Sequence, residues 1–435
     1  MLGVVGVLAS IALVIFLAFR GWSIIPASLL CSLVVIVTNN AEIWPSISGS
    51  YADGFKYFIG AFFLIFFFGS LFGKAMGDSG SANAISYKLL SVFGAKRALL
   101  VIILSTATLT YGGVSVFVVI FTIYPIAAVL FKEADLPKRL IVAAIALGAG
   151  TFSMTALPGT PAIQNLIPAQ VIGTPATAAP VLGIVASIIM FSLGFWYLSW
   201  QSKVAEKNEE HFVPGPNDDM EKMSLVDPSL LPDWRLALLP LVCVIGLIVT
   251  LRMLPPIYAV TIALAAGTSL TYILFWKRLE NPLKTLNDGV SQSVMALMNT
   301  AAIVGFGFVV KNVVAFKSFV DFAFSLPFPP LVSAACAVNI MAGITGSASG
   351  GLTIFMKTMG PQYLEMGLAP DVLHRICAVA SGGLDSLPHS GAVITALMVM
   401  GVTHKEGYKD LGVVTVAFPI VATVVIVLLA LMGVH

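Results

Sequence analysis

The sequence GAGTFSMTALPGTP, residues 148–161, interrupts one long apolar stretch, and ASGGLDSLPHSG, residues 380–391, interrupts another. Each combines glycines and hydroxyl side chains with a proline, which removes a backbone N–H and blocks the preceding helical turn. Backbone opened at membrane depth is tolerated only where it faces protein or a water-filled cavity. The two stretches therefore predict two broken helices, 139–173 and 372–402, with their breaks in the protein interior near the bilayer midplane.

The composition places the chain in the membrane class. Of its 435 residues, 58% are hydrophobic and 10% are charged, more apolar surface than a soluble domain can expose to water. Apolar runs of about 20 residues, the length of a bilayer-crossing helix, predict an all-α integral membrane protein with about ten transmembrane helices. Besides the two broken helices, we place the spans at 2–19, 22–38, 55–76, 177–200, 235–251, 256–276, 289–311 and 411–433.

Several function classes are disfavoured by the same sequence. The net charge of +2 comes from scattered basic residues, which gives no footprint for nucleic acid. The four cysteines have no paired spacing, so neither a disulfide framework nor a metal site is indicated. No nucleotide-binding loop and no nucleophile beside a base is present. We therefore expect no cofactor, no metal and no enzymatic activity.

Two further apolar stretches, 97–131 and 326–363, predict re-entrant hairpins. Each has a small-residue kink near its middle, at 110–115 and at 345–351. Glycine permits a sharp turn there and serine can satisfy freed backbone groups. The alternative is ordinary, tightly packed helix.

A polar stretch, 201–234, predicts a cytoplasmic linker between two halves, 1–200 and 235–435. LPGTPA at 157–162 corresponds to LPHSGA at 387–392, an offset of 230. Five crossings in each half would insert the second copy upside down, which is typical of the inverted repeats of secondary transporters. The parts are, in order, scaffold spans 1–76, hairpin 97–131, broken helix 139–173 and span 177–200, then scaffold spans 235–311, hairpin 326–363, broken helix 372–402 and span 411–433.

The basic residues predict the orientation. Cytoplasmic loops collect Lys and Arg, and 17 of the 23 such residues become cytoplasmic if both termini lie outside. We therefore expect a multi-pass protein of a bacterial inner membrane, in contact with the lipid bilayer, with both termini on the outer face.

Broken helices and hairpins bring half-helix N-termini together, and these bind anions through N–H groups and partial positive charge. The sequence indicates no buried arginine in these spans, so we expect N–H groups and hydroxyls to hold a carboxylate. Gln164 and Asn165 could bind substrate hydroxyls or, alternatively, hydrogen-bond between helices. The predicted substrate-binding residues are Gly112, Gly113, Ser115, Ser153, Thr155, Gly159, Thr160, Gln164, Asn165, Ser347, Ser349, Gly350, Ser386, His389 and Ser390.

Asp385 and His389 are the candidates for proton coupling. Ionisable residues inside a membrane are costly and mark functional sites. A carboxyl among backbone dipoles with little water can bind a proton near neutral pH, and histidine titrates near physiological pH. Asp385 corresponds to Thr155 by the offset of 230, so the charge occurs in one half only. The structural alternatives are a helix cap for Asp385 and a fixed hydrogen bond between helices for His389.

The chain resembles the gluconate:proton symporter (GntP) family of the ion transporter superfamily. The likeness lies in TALPGTPA at 155–162 and GSASG at 346–350, and it extends over essentially the whole chain. Gluconate transporters proper tend to carry Pro-Pro-His-Pro-Gly-Pro at the first break, where this chain has ALPGTP at 156–161. Residues 382–395 look more like the family's permeases for short hydroxy acids such as 3-hydroxybutyrate.

The resemblance implies a scaffold fixed at a homodimer interface and a transport domain that moves across the membrane as an elevator. Together with the residues, it predicts a proton-coupled importer of a small hydroxy- or related monocarboxylate. The alternative is a sodium-coupled carboxylate carrier or a sodium/proton antiporter of the same superfamily, because backbone carbonyls at the hairpin tips could ligate sodium. A channel is a weaker alternative, since interrupted helices in two inverted halves suit alternating access.

Overall fold

The computed structural model describes residues 2–20, 22–94, 97–215, 228–251, 253–318, 328–388 and 390–435. All regular secondary structure in these ranges is helical, which confirms the all-α prediction. The first half contains α1 Leu2–Phe19, α2 Ile24–Thr38, α3 Ala52–Asp78, α4 Ser81–Phe93, α5 Ala98–Tyr111, α6 Val116–Glu133, α7 Arg139–Gly150, α8 Ile163–Ile172 and α9 Pro180–Lys207.

The second half repeats much of this order. It contains α10 Trp234–Thr250, α11 Pro256–Phe275, α12 Pro282–Lys311, α13 Pro330–Thr345, α14 Ala348–Thr358, α15 Gly360–Glu365, α16 Pro370–Ala380, α17 Gly391–Val399, α18 His404–Gly412 and α19 Phe418–Leu431. Short π-helical segments are Pro45–Tyr51, Phe152–Ala156 and Val413–Ala417, and 3-10 turns are Pro228–Leu230 and Trp276–Arg278.

Six stretches of the described chain are long and apolar enough to cross a bilayer. They are Pro45–Asp78, Arg139–Ala156, Pro180–Lys207, Ile257–Arg278, Pro282–Lys311 and His404–Leu431. Of the ten predicted crossings, 22–38, 235–251 and 372–402 are not among them, because their helices are shorter or interrupted. The crossing 2–19 is represented by the shorter apolar stretch Leu2–Val14. A multi-pass membrane protein fits these lengths.

The two halves meet along α3 and α12, which pack against each other over much of their length. Glycines allow the close approach, as they do between other membrane helices. A Cβ at Gly54 would lie 2.7 Å from Cγ of Phe308, and one at Gly305 would lie 2.9 Å from the carbonyl oxygen of Tyr51. In each half, the first two helices of the scaffold pack as a pair, α1 with α2 and α10 with α11.

The hairpins and the broken helices interlock across the two halves. The first arm of each hairpin packs on the broken helix of its own half, α5 on α7 and α13 on α16. The second arm packs on the distal segment of the other broken helix, α6 on α17 and α14 on α8. The closing helices α9 and α19 also pack together. These elements therefore form one packed unit, while the inverted orientation of the halves stays a prediction.

The boundary of the polar linker differs from the prediction. Helix α9 ends at Lys207, seven residues beyond the predicted end of the span at 200. Gln201 and Ala205 explain the extension: both are buried, and Nε2 of Gln201 donates to the hydroxyl of Tyr197 at 3.2 Å. Residues 216–227 of the predicted linker lie outside the described residues.

Candidate functional site

The first break begins where α7 ends at Gly150. Thr151 has φ −117° and ψ −107°, which closes the α-helix, and a π-helical segment, Phe152–Ala156, follows. Ser153 and Thr155 are fully buried. The hydroxyl of Ser153 donates to the carbonyl of Gly148 at 2.6 Å, and that of Thr155 donates to Thr151 at 3.1 Å. Their protons thus stabilise the opened backbone, leaving only hydroxyl lone pairs for a ligand.

Gly159 and Thr160 form the turn before α8. Gly159 has φ +81°, a conformation that glycine adopts without strain, and its N–H donates to the carbonyl of Ala176 at 3.0 Å. Thr160 is fully buried, and its hydroxyl oxygen accepts from the N–H of Ala162 at 3.4 Å. The break is therefore a defined turn tied to the segment that precedes α9.

Asn165 links the two broken helices, which is the alternative role considered from the sequence. It is fully buried, and Nδ2 donates to the carbonyls of Thr160 and Ala176 at 2.9 and 2.8 Å. Its Oδ1 lies 3.1 Å from NH1 of Arg375 and 3.0 Å from Nε2 of His374. The neighbouring Gln164 is 8% exposed.

Arg375 corrects the expectation that these spans contain no buried arginine. Its side chain is 0% exposed, in the middle of α16. It donates to carbonyls of Ala156, Ala176 and Ala178 as well as to Asn165. Sequence reasoning missed the burial of Arg375 because an arginine five residues after a helix start resembles a side chain at the membrane interface. Its position inside the predicted span 372–402 was the sequence feature that could have indicated burial.

The first hairpin tip lies against the first break and the scaffold. Gly113 has φ +101°, and a Cβ there would lie 3.3 Å from Cγ of Pro161 and 2.7 Å from Cδ2 of Leu264. A Cβ at Gly112 would lie 2.0 Å from Cδ2 of Leu241. Ser115, at the end of the turn, is partly exposed. The tip therefore sits between the first break and helices α10 and α11.

Tyr111, the last residue of α5, ties the same tip to the break. Its hydroxyl donates to the carbonyl of Pro158 at 3.0 Å. A Cβ at Gly159 would lie 3.7 Å from that hydroxyl. Sequence reasoning did not select Tyr111 as a site residue, although it lies inside the predicted kink at 110–115.

The second hairpin tip lies against α12. Gly346 has φ +58°, and Ser347 caps α14 by accepting from the N–H of Gly350 at 3.2 Å. The hydroxyls of Ser347 and Ser349 lie 3.2 Å apart and both residues are partly exposed. A Cβ at Gly350 would lie 2.8 Å from Cγ2 of Ile303 in α12. This tip thus presents two hydroxyls at the boundary between hairpin and scaffold.

The two breaks touch each other. A Cβ at Gly382 would lie 3.1 Å from Cγ2 of Thr155. A Cβ at Gly343, in α13, would lie 3.0 Å from Cβ of Leu384. The structure therefore brings together the first tip, both breaks and Asn165, and it connects the second hairpin to the second break through its first arm rather than through its tip.

Asp385 lies in the second break beside a cavity of about 60 Å³, enough for a few water molecules. The carboxyl is 8% exposed and accepts from the hydroxyl of Ser386 at 2.8 Å. The cavity is lined mainly by apolar side chains of α6, α7, α17 and the last span, with Thr415 opposite. No ion pair joins Asp385 to another described residue.

The remaining predicted residues lie around this carboxyl. Ser390 is buried and is the N-cap residue of α17, so Asp385, five residues earlier, does not cap that helix. The carbonyl of Ser386 accepts from the hydroxyl of Tyr408 at 3.2 Å. His389 lies outside the described residues, so its proposed coupling role stays a prediction.

The comparisons with known proteins agree with this architecture. The model of the GntP family permease family matches residues 2–432. An uncharacterized transporter of Bacillus subtilis (strain 168), YxjC, is 36% identical over 98% of this chain and 98% of its own. An uncharacterized transporter of Haemophilus influenzae is 25% identical over 72% of this chain and 71% of its own.

A solved structure shares the fold. The YdaH transporter of Alcanivorax borkumensis superposes with a TM-score of 0.56 over 98% of both chains, at 13% sequence identity. Because the family model and YxjC both cover nearly the whole chain, the protein belongs to the GntP permease family and is a membrane transporter.

Proposed function

We propose that this permease is a proton-coupled symporter that imports a small hydroxy- or related monocarboxylate. The observation that carries the proposal is Asp385. Its carboxyl lies in the break of a helix, beside a small cavity, and has no ion-pair partner among the described residues. A charged carboxylate is costly to bury unpaired. Such a group takes up a proton reversibly when water reaches it.

We assign the cavity beside Asp385 to the proton pathway and place the substrate elsewhere. Its volume of about 60 Å³ suits water rather than a hydroxy acid. We place the substrate carboxylate instead at the first break, beside the tip at Gly112 and Gly113, with the partly exposed hydroxyls of Ser347 and Ser349 as donors. Residues 382–395 resemble permeases for short hydroxy acids more than gluconate transporters, which supports a small monoanion as the substrate.

The interlocked packing supports an elevator mechanism. Each hairpin contacts both broken helices, so these elements can move only together. The scaffold has its own pairing of α3 with α12 and exposes large apolar side chains such as Leu239, Val242 and Ile262 on α10 and α11. In this proposal, lipid and a second copy of the chain cover that outer surface and hold the scaffold still.

Uptake into proteoliposomes tests the coupling ion. The purified protein is reconstituted, and radiolabelled 3-hydroxybutyrate is supplied with an inward proton gradient, an inward sodium gradient, or neither. Accumulation with the proton gradient in sodium-free buffer is expected. Accumulation with sodium alone would instead support the alternative, a sodium-coupled carrier or antiporter, for which the carbonyls and hydroxyls of the second tip are the candidate ligands.

A further inference from the structure

Arg375 is a buried cation whose hydrogen-bond donors all meet neutral oxygen atoms. Nε donates to Ala178 at 3.0 Å, NH1 to Ala156 and Asn165 at 3.3 and 3.1 Å, and NH2 to Ala176 and Ala178 at 3.3 and 2.8 Å. A guanidinium has five N–H donors and stays protonated in proteins. Its donors are satisfied, but its charge is not neutralised by any of these partners.

No acidic side chain compensates that charge. In the ranges that the structure describes, no Asp or Glu forms an ion pair with Arg375, which is 0% exposed. Buried charges are ordinarily paired, and breaking such a pair is strongly destabilising because it leaves one charge uncompensated. A permanently unpaired arginine at this depth therefore calls for a counter-ion from outside the chain.

Satisfying the backbone does not by itself require an arginine here. The carbonyl of Ala176 already accepts from the N–H of Gly159 at 3.0 Å and from Nδ2 of Asn165 at 2.8 Å. His374, the neighbouring side chain, bonds Thr174 and Asn165 with neutral partners only. Neutral donors thus suffice for part of the same segment, and the distinctive property of Arg375 is its charge.

We propose that Arg375 is the residue that makes the first break selective for anions, with the substrate carboxylate as its counter-ion. This inference rests on the proposed function. Arg375 bonds Ala156, directly before the turn at 157–162, so its positive charge lies beside that turn. In a low-dielectric interior such a charge acts at a distance, without direct contact to the ligand.

The test compares an anion with its neutral analogue. Binding of 3-hydroxybutyrate and of 3-hydroxybutyramide is measured by thermal shift and calorimetry in detergent for the wild type, Arg375→Gln and Arg375→Lys. We expect Arg375→Gln to lose at least tenfold in affinity for the acid and little for the amide, so that the acid-to-amide ratio falls. Arg375→Lys keeps the charge and should keep most of the ratio. Lys357→Gln, which removes a lysine that stacks 4.0 Å from the Tyr57 ring, is the matched control and should change neither.

The outcomes separate the two proposals. If the wild type binds 3-hydroxybutyrate and Arg375→Gln weakens acid and amide equally, Arg375 only holds the turn together and the inference is wrong. If Arg375→Gln does not fold, the folded Arg375→Lys variant decides. An acid-to-amide affinity ratio near one in that variant would contradict a role for the charge of Arg375, and a ratio close to that of the wild type would support it. A wild type that binds no carboxylate of a panel contradicts the proposed function itself.

Discussion

Replacing Asp385 by asparagine should abolish accumulation of the substrate while leaving its exchange intact. The asparagine side chain has the same shape and mimics a carboxyl that is permanently protonated. It can still accept from the hydroxyl of Ser386, 2.8 Å away in the wild type. We therefore expect normal insertion and folding, normal substrate binding, and loss of the step in which a proton is released.

The expected accumulation ratio follows from the single carboxyl at this position, because one carboxyl carries one proton per substrate. One proton moving down a gradient of one pH unit supplies about 1.36 kcal/mol, which is about a tenfold concentration ratio. A monocarboxylate that travels with one proton carries no net charge, so the membrane potential should not change that ratio. The wild type should thus accumulate substrate about tenfold per pH unit, and Asp385→Asn should exchange substrate across the membrane without accumulating it.

The assay is uptake of radiolabelled 3-hydroxybutyrate into proteoliposomes, with the membrane potential clamped by potassium and valinomycin. Asp371→Asn is the matched control: Asp371 lies in the first turn of α16, away from the cavity, and should not alter accumulation. His389→Gln tests the rival proton carrier under identical conditions. An Asp385→Asn variant that still concentrates substrate with an unaltered pH profile refutes the reasoning.

Three other predictions concern the second tip, the closing span and the loops that carry Asp135 and His211. Ser349→Ala should weaken carboxylate binding about tenfold or more, because a hydrogen bond to a charged group contributes about 1.5–3 kcal/mol; unchanged affinity by calorimetry would place the second tip away from the site. Asp410→Ala should lower stability by about 1–3 kcal/mol in thermal or denaturant unfolding, because it removes the acceptor of the Tyr197 hydroxyl and leaves Arg139 with Glu210 alone. The hydrogen bond with Asp135 raises the pKa of His211 and lowers that of Asp135. Their contact should therefore stabilise the fold most between about pH 4 and 6.5, and this stability should be lost as the pH rises through the raised pKa of His211 or falls through the lowered pKa of Asp135. NMR titration of His211 checks this, and Asp135→Asn should bring its pKa down.

The breaks and tips could be predicted from sequence because their causes are local. Glycine at 113, 159 and 346 has a positive φ in the structure, as a tight turn requires, and proline at 158 removes the backbone N–H that a continuing helix would use. The order of these signals along the chain suffices for the class of fold. The same information is present whether or not the neighbouring helices are known.

Arg375 could not be assigned in the same way because its burial is a tertiary property. Its partner Ala178 is 197 residues earlier in the chain, and Ala156 is 219 residues earlier. The role of Asn165 depends on the same contacts. Likewise, the first tip and the second tip look equivalent in sequence, yet one packs on the first break and the other on α12, a difference that only packing creates.

Arg375 and Asp385 lie on the same broken helix, and their opposite charges give a physical reason for tight coupling under the proposed function. At the second broken helix, the empty unit holds the guanidinium of Arg375 and the carboxylate of Asp385, which sum to zero. The fully loaded unit holds a guanidinium, the substrate anion and a protonated carboxyl, which also sum to zero. A unit with only the anion carries a net negative charge, and one with only the proton carries a net positive charge.

A net charge at the bilayer centre costs about 2.5–3.5 kcal/mol or more, which slows the movement of a half-loaded unit by roughly 100-fold relative to the neutral states. Anion and proton must then cross together, without any contact between them. The same argument accounts for the behaviour expected of Asp385→Asn. Its loaded unit, with Arg375 and the anion, is neutral and moves, so exchange persists. Its empty unit keeps the uncompensated charge of Arg375 and returns roughly 100-fold more slowly, so net uptake falls by about that factor even down a substrate gradient.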